Sequence, residues 1–496
     1  MGGYGTPSVF FYHKAFYYIS ALLLLATGSV KVALTGALAF WMFIGGIGIY
    51  LCAAQFTRNR LIKLSTIPLF LLSNYAFVDW LVRGAMAEFA AMMLVPFVLL
   101  WCVIVLRGER LAYWIAPILY IVFFAHNILA VFLLPIIVAA YIVAVRRYKH
   151  LRTLQSHKNL LISGIITVCA MLPYLVIYMY YATDYSPSSS ITADGYTPMN
   201  YFVPISQYLY DGDNIWLRSI MDFTTQLDIA VVLICTIGAG LYIWSKVKAK
   251  RVTMPSSDKV FMMCILLGLL FLQTSFAEPI YRMIAVMQLI QFPWRLLVII
   301  IPILLCFYAI TIDFALRRKY LSRMYVGVVA VLAVGATIFL SPLTHHFQFT
   351  FLPEELLEAP ITSDLKYISN MGIGEYFPAY VRADGGQPTM AEKRERYLQN
   401  TFPAPKDCTV LEITGRTESL RRYFQINCSS SSNVSLPHNY SNLVEVYKDN
   451  VRTAYWRTPT DPRIHVGVEE GITVIQINEP QIKTVLKKIL HKEGMR

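Results

Sequence analysis

The feature that most constrains this chain is a series of long uncharged runs. Val32 to Thr57 is 26 residues without a charge, and Leu111 to Val145 is 35 residues in which only His126 can be charged near neutral pH. A bilayer span needs about 20 mostly apolar residues, so the second run is long enough for two short spans. The runs are continuous rather than alternating, which makes them helices and not strands of a membrane barrel. Composition agrees, because 15% of the residues are charged against roughly a quarter in soluble domains.

The runs predict an α-helical polytopic membrane protein with about ten spans, near 34–56, 64–79, 85–106, 111–124, 127–145, 159–181, 227–245, 260–276, 296–315 and 325–342. The net charge of +13 is spread over short loops, as a membrane surface demands and a nucleic-acid partner does not. Every second loop is basic. Arg58 to Lys63, Arg107 to Arg110, Arg146 to Lys158, Lys246 to Lys259 and Arg317 to Arg323 hold nineteen Lys and Arg, and the alternate loops with the N-terminal segment hold six. The basic loops are therefore expected in the cytoplasm, and loop 182–226 and everything after Pro342 outside. The segment Lys14 to Thr27 is too short to cross and reads as a helix in the outer interface.

Past residue 342 the composition becomes ordinary. Residues 343–405 read as an outer linker. Period-two segments at 408–414, 420–428, 443–448, 452–457, 463–468 and 472–478 predict a β-sandwich over 406–480. Glu469-Glu470-Gly471 reads as a hairpin turn between the last two. Residues 481–496 form a basic amphipathic tail suited to a membrane surface. Cys408 opens one expected strand and Cys428 closes the next, so a turn over Gly415 to Glu418 would bring them within disulfide range in an oxidising compartment. The other six cysteines fall in spans, where Cys acts as a small apolar residue.

Candidate chemistry lies in charges at apolar depth, because such groups are costly without a purpose. Arg83 and Glu88 lie at the outer end of a span, and a helix would set them about one and a half turns apart, so that they need not touch. They read either as catalytic groups or as water-contacting charges at a helix end. Residues 276–295, "FAEPIYRMIAVMQLIQFPWR", carry Glu278, Arg282, Gln288, Gln291, Trp294 and Arg295 and read as a re-entrant or interfacial segment. Arg295 suits an anion held at the interface, with snorkelling to lipid phosphate as the alternative. His13 and Lys14 can serve the same anion or touch lipid headgroups. His126 reads as a hairpin residue between two half-length helices. No metal-ligand spacing, Walker loop or dinucleotide fingerprint is present.

Four stretches, "GGYGTPSVFFYHKAFYYISALL", "RGAMAEFAAMMLVPFVLL", "FFAHNILAVFLLP" and "QLIQFPWRLL", in that order, resemble the bacterial and archaeal membrane proteins labelled 6-pyruvoyl-tetrahydropterin synthase-related; "GEYFPAYV" adds to the likeness. Those proteins are similar to the GT-C glycosyltransferase superfamily. The resemblance implies transfer of a sugar from a polyprenyl-phosphate carrier to an acceptor at the outer face of the cell membrane. It implies a divalent metal or a cationic side chain to hold the phosphate, and a carboxylate from the first outer loop as base or metal ligand.

On that reading Arg295, Arg282, Lys14, His13, Arg83, Gln291 and Trp294 hold the carrier, and Glu88 and Glu278 bind the acceptor or move its proton. The chain starts at the "GYG" segment, so the first span and its acidic loop are expected to be missing, as in a fragment. A transporter or flippase of lipid-linked sugars, and a non-catalytic protein of envelope assembly, are the alternatives.

Overall fold

The computed structural model describes residues 13–108, 115–152, 158, 161–162, 164–172, 175–176, 198–205, 227–248, 256–317, 323–340, 407–412, 421–439, 444–456 and 463–478. They fall in a helical unit and a β unit. The expected linker 343–405, the tail 481–496, nearly all of loop 182–226 and the turn at Gly415 to Glu418 lie outside them.

The helical unit opens with α1 (Ala15–Thr27), α2 (Val30–Ala54) and α3 (Arg60–Leu71). Local signals set these boundaries. Gly28 takes the left-handed conformation at φ 69° and donates its N–H to Leu24 O, which stops α1. Ser29 Oγ accepts from Val32 N and starts α2, and Asn59 Oδ1 accepts from Leu61 N and starts α3. After α3 the chain continues as α4 (Asn74–Phe77) and a π-helical turn over Val78–Val82, closed by Arg83 N to Val78 O at 2.8 Å. Gly84, at φ 61°, then turns the chain into α5 (Met86–Leu106).

α5 is the buried axis of the unit. Its neighbours come close because α2 presents glycines to it: a side chain at Gly45 would collide with Met93, and one at Gly48 with Phe97 and Pro96. Small-residue faces of this kind allow the close van der Waals packing by which helices associate in a bilayer. Then follow α6 (Ile115–Ala125), α7 (Asn127–Arg147), α8 (Ile229–Lys248), α9 (Ser257–Leu272), the short α10 (Glu278–Met283), α11 (Leu297–Arg317) and α12 (Arg323–Leu340). Polar bonds also tie the unit's helices together. Ser65 Oγ meets Tyr308 Oη at 3.0 Å, and Thr57 Oγ1 donates to Asp313 at 2.8 Å, pinning α11 to the start and entry of α3.

Among the described residues five helical stretches are long and apolar enough to cross a membrane: Val30–Ala54, Arg60–Trp80, Met86–Leu106, Asn127–Arg147 and Pro293–Arg317. A sixth arises if Ser257–Leu272 and Ser275–Met283, bent by 90° at their junction, count as one broken span. These match the spans expected near 34–56, 64–79, 85–106, 127–145, 296–315 and 260–276. The described helix at the span expected near 111–124 is the 11-residue α6, short of a full crossing. The stretches expected at 227–245 and 325–342 are α8 and α12, and much of 159–181 lies outside the described residues. Segment 276–295 breaks into short helical turns, and Pro293 opens the last of them after an extended Phe292.

The β unit packs two antiparallel sheets. One has the order β1 (Cys408–Glu412), β2 (Arg421–Cys428), β7 (Gly471–Asn478), β4 (Glu445–Lys448) and β5 (Val451–Arg452); the other pairs β3 (Ser432–Asn439) with β6 (Arg463–Val468). Phe424, Ile426, Val446, Ile475 and Ile477 from the first sheet share a core with Val434, Leu436, Ile464 and Val466 from the second.

Two expectations need correction. β6 and β7 form no hairpin: β6 pairs with β3 and β7 with β2 and β4, so Glu469-Glu470-Gly471 carries the chain from one sheet to the other. β3 was not expected as a strand, because its Ser, Asn and Pro437 mask the alternation of Val434 and Leu436; the ladder shifts register between Leu436 and Asn439, where the proline sits. Cys408 and Cys428 face each other in the β1–β2 register and form a disulfide.

Candidate functional site: a buried charge cluster

The break between α3 and α5 decides where Arg83 and Glu88 point. On a continuous helix they need not meet. The π turn and the left-handed Gly84 redirect the chain instead, and Arg83 Nη2 lies 3.1 Å from Glu88 Oε2, a contact that the sequence left open. The same guanidinium reaches Asp79 Oδ1 at 2.7 Å, one helical turn back, and donates to Tyr75 Oη at 3.2 Å. Tyr75 donates in turn to Glu88 Oε1 at 2.6 Å.

Arg295 enters from the short turn that precedes α11. Its Nε lies 3.1 Å from Glu88 Oε2, while Nη1 donates to Ile290 O at 3.0 Å and to Gln291 Oε1 at 2.8 Å. Gln291 reaches it from a left-handed backbone at φ 61°, an uncommon conformation for a side chain-bearing residue and one that recurs at functional sites. The guanidinium also lies 5.0 Å over the Phe292 ring, and Phe292, Trp294 and Tyr201 form an aromatic group beside it.

The N-terminal edge and the α6–α7 break complete the cluster. His13 and His126 stack with centroids 4.1 Å apart. Each uses Nδ1 as an acceptor, His13 from Asn127 N at 3.4 Å and His126 from Leu129 N at 3.3 Å. When neutral, both rings therefore carry their proton on Nε2. Desolvation and the nearby Arg295 charge hold His13 down at about 4, with Glu88 opposing. Burial, His13, Arg295 and Arg83 push His126 down as well. Lys14, tied by its backbone N–H to Phe124 O at 2.8 Å, has its amine lowered to about 8 by desolvation.

The cluster is thus two guanidiniums against two carboxylates, with two neutral imidazoles, and it is nearly dry. Asp79 and Glu88 are 0% and 2% exposed, Arg295 and Arg83 11% and 19%. Breaking one such pair strands a charge, whereas the intact set is balanced. One acceptor stays open: Asp79 Oδ2 is buried and has no hydrogen-bond partner among the described residues. A bare buried carboxylate oxygen is where a donor from water or a ligand belongs.

Of the residues expected to act, Glu88, Arg83, Arg295, Gln291 and His13 meet here, with Trp294 and Lys14 at the border. Glu278 and Arg282 do not join. They pair with each other as an exposed i,i+4 couple at 2.6 Å. Asp79, Tyr75 and His126 were missed as site residues. Asp79 could have been found, being an acid inside an apolar helix four residues from Arg83. Among the described residues no group of three or more His, Cys, Asp and Glu side chains is placed to hold a metal. Arg83 holds Asp79 Oδ1 and both guanidiniums hold Glu88, which leaves Asp79 Oδ2 as the one open carboxylate oxygen of the cluster, a donor set that does not fit the divalent metal the resemblance implies.

No protein-family model, curated protein or solved structure matches the chain.

Proposed function

We propose that this protein is a membrane glycosyltransferase of GT-C type. It would take a sugar from a polyprenyl-phosphate carrier at the outer face of the cell membrane, with about ten spans, cytoplasmic basic loops and an extracytoplasmic β domain. The observation that carries the reading is convergence. The four stretches behind the resemblance lie far apart in sequence, yet each supplies the cluster: His13 from the first, Arg83 and Glu88 from the second, His126 from the third, Gln291 and Arg295 from the fourth.

In this reading the acceptor oxygen forms its bond to the anomeric carbon as the bond from that carbon to the phosphate oxygen breaks. Polyprenyl phosphate leaves, and the acceptor's proton passes to a carboxylate. Arg295, Arg83 and the imidazole Nε2–H groups are the donors suited to the departing phosphate. Glu88, its oxygens occupied by Tyr75, Arg83 and Arg295, positions those guanidiniums. Asp79 Oδ2, the open acceptor, is better placed than Glu88 or the exposed Glu278 to take the proton.

A transporter of lipid-linked sugars is the second reading, favoured by the 90° break after α9, since broken helices line many transport sites. Reconstituted protein given a polyprenyl-phosphate-linked labelled sugar separates the two. Release of polyprenyl phosphate with the label on an acceptor supports the enzyme. Movement of the intact donor across the bilayer, with no cleavage, replaces it with the transporter.

A further inference from the structure

A second polar site lies at the other end of α5. Glu88 sits in its first turn and Arg107 caps its last, so helix rise alone puts them roughly 30 Å apart. Around Arg107 a cavity of about 260 Å³ opens among residues of α5, α7 and α9. It is lined by three cations from three different helices or their caps: Arg107, Arg147 and Lys259.

Among the described lining residues one carboxylate is present, and it is already committed. Asp258 Oδ2 takes Arg107 Nε at 2.9 Å and Nη2 at 2.8 Å. That bridge holds Arg107 against the end of α9, and Ser257 Oγ locks the same corner by donating to Leu106 O at 3.1 Å. Arg147 and Lys259 have no carboxylate partner among the described residues, so the described lining carries an excess of positive charge. Arg147 packs over the Tyr148 ring at 5.6 Å, and both residues line the cavity. Cations in a dent at the basic end of a helical bundle, where lipid headgroups lie, have the composition of a phosphate site.

We propose that this cavity binds a phosphate group, held by Arg147 and Lys259 with Arg107 behind them, at the membrane face opposite the charge cluster. The phosphate can be borne by an anionic lipid headgroup or by a soluble ion, and binding here stands whether or not the cluster transfers sugars.

The test uses the full chain, purified in detergent. Native mass spectrometry with phosphatidylglycerol and phosphatidylcholine measures lipid affinity, and calorimetry with inorganic phosphate measures the soluble ion. The expected result is a preference for phosphatidylglycerol that falls at least tenfold in Arg147→Gln/Lys259→Gln. Saturable phosphate binding lost in that variant, without lipid preference, supports the same site with a soluble source. Equal affinity for both lipids with no phosphate binding, or binding unchanged in the variant, overturns the proposal. If the double variant does not elute as a monodisperse species, Lys259→Gln alone serves, with about a threefold loss expected and no loss overturning it.

Discussion

Glu88 Oε2 stands 3.1 Å from both Arg83 Nη2 and Arg295 Nε, so one carboxylate joins two guanidiniums carried by different helical segments. That shared contact ties the break before α5 to the turn before α11. It also means that Glu88 cannot be changed alone without stranding positive charge. Glu88→Gln should cost about 3–5 kcal/mol of stability, the size seen when a buried pair loses one partner. Glu88→Gln/Arg295→Gln should recover part of it. Thermal unfolding in detergent checks this, and a double variant no more stable than the single would show that the contact carries no coupling.

The imidazoles predict a pH dependence. His13 titrates at about 4 in the folded chain and near 6.5 when unfolded, because burial and Arg295 disfavour its charged form. The unfolded state then binds more protons between those values. Stability is complete above about 6.5 and declines as pH falls toward 4. The melting temperature should drop between pH 7 and 5, and His13→Asn should flatten that slope. A slope unchanged in the variant would place the titration elsewhere.

Packing of α2 against α5 gives a size-dependent prediction. Gly45→Leu pushes side-chain atoms into Met93 and should destabilise by about 1–3 kcal/mol. Gly240→Ala in α8 meets nothing within 4 Å and should leave the melting temperature within a degree or raise it slightly. Equal losses at both positions would contradict the close approach of the two helices.

In the β unit the disulfide closes a segment with sequence separation 20. Cross-links of that loop size contribute about 3 kcal/mol. Cys428→Ser should speed hydrogen exchange through β1 and β2, which the bond joins, and leave the helical unit unchanged. Uniform exchange rates before and after the change would deny the bond a stabilising part.

How much of this was legible in the sequence follows from range. The long apolar runs mark α2, α5, α7 and α11 because a hydrophobic stretch of that length has few other fates. Strands β2 and β7 are legible from their alternation; β3 is not, since its polar outer face and Pro437 erase the signal. The Arg83–Glu88 contact is not legible, because a π turn and a left-handed Gly84 leave no periodic trace and a straight helix does not require the two to meet. His126 looked like a hairpin residue and is one, capping α7 through Leu129 N. Its stacking on His13 is a long-range contact that no local pattern encodes. Glu278 and Arg282 looked like site residues because their segment is apolar, but on the exposed side of a short helix they satisfy each other.

Topology is open to a direct check. Cysteine placed at 150 should resist an impermeant thiol reagent in intact cells, and cysteine at 200 should react. Labelling at 150 with none at 200 would invert the orientation of every loop.

The central claim is that the buried cluster, rather than the exposed pair nearby, handles the phosphate of a sugar carrier. The most direct measurement is sugar transfer from a labelled polyprenyl-phosphate donor by wild type, Arg295→Ala and Arg282→Ala, each first shown to be monodisperse. The account predicts at least a hundredfold loss in Arg295→Ala, equivalent to about 2.7 kcal/mol, and less than a threefold change in Arg282→Ala. Wild-type turnover in a well-folded Arg295→Ala protein would contradict it.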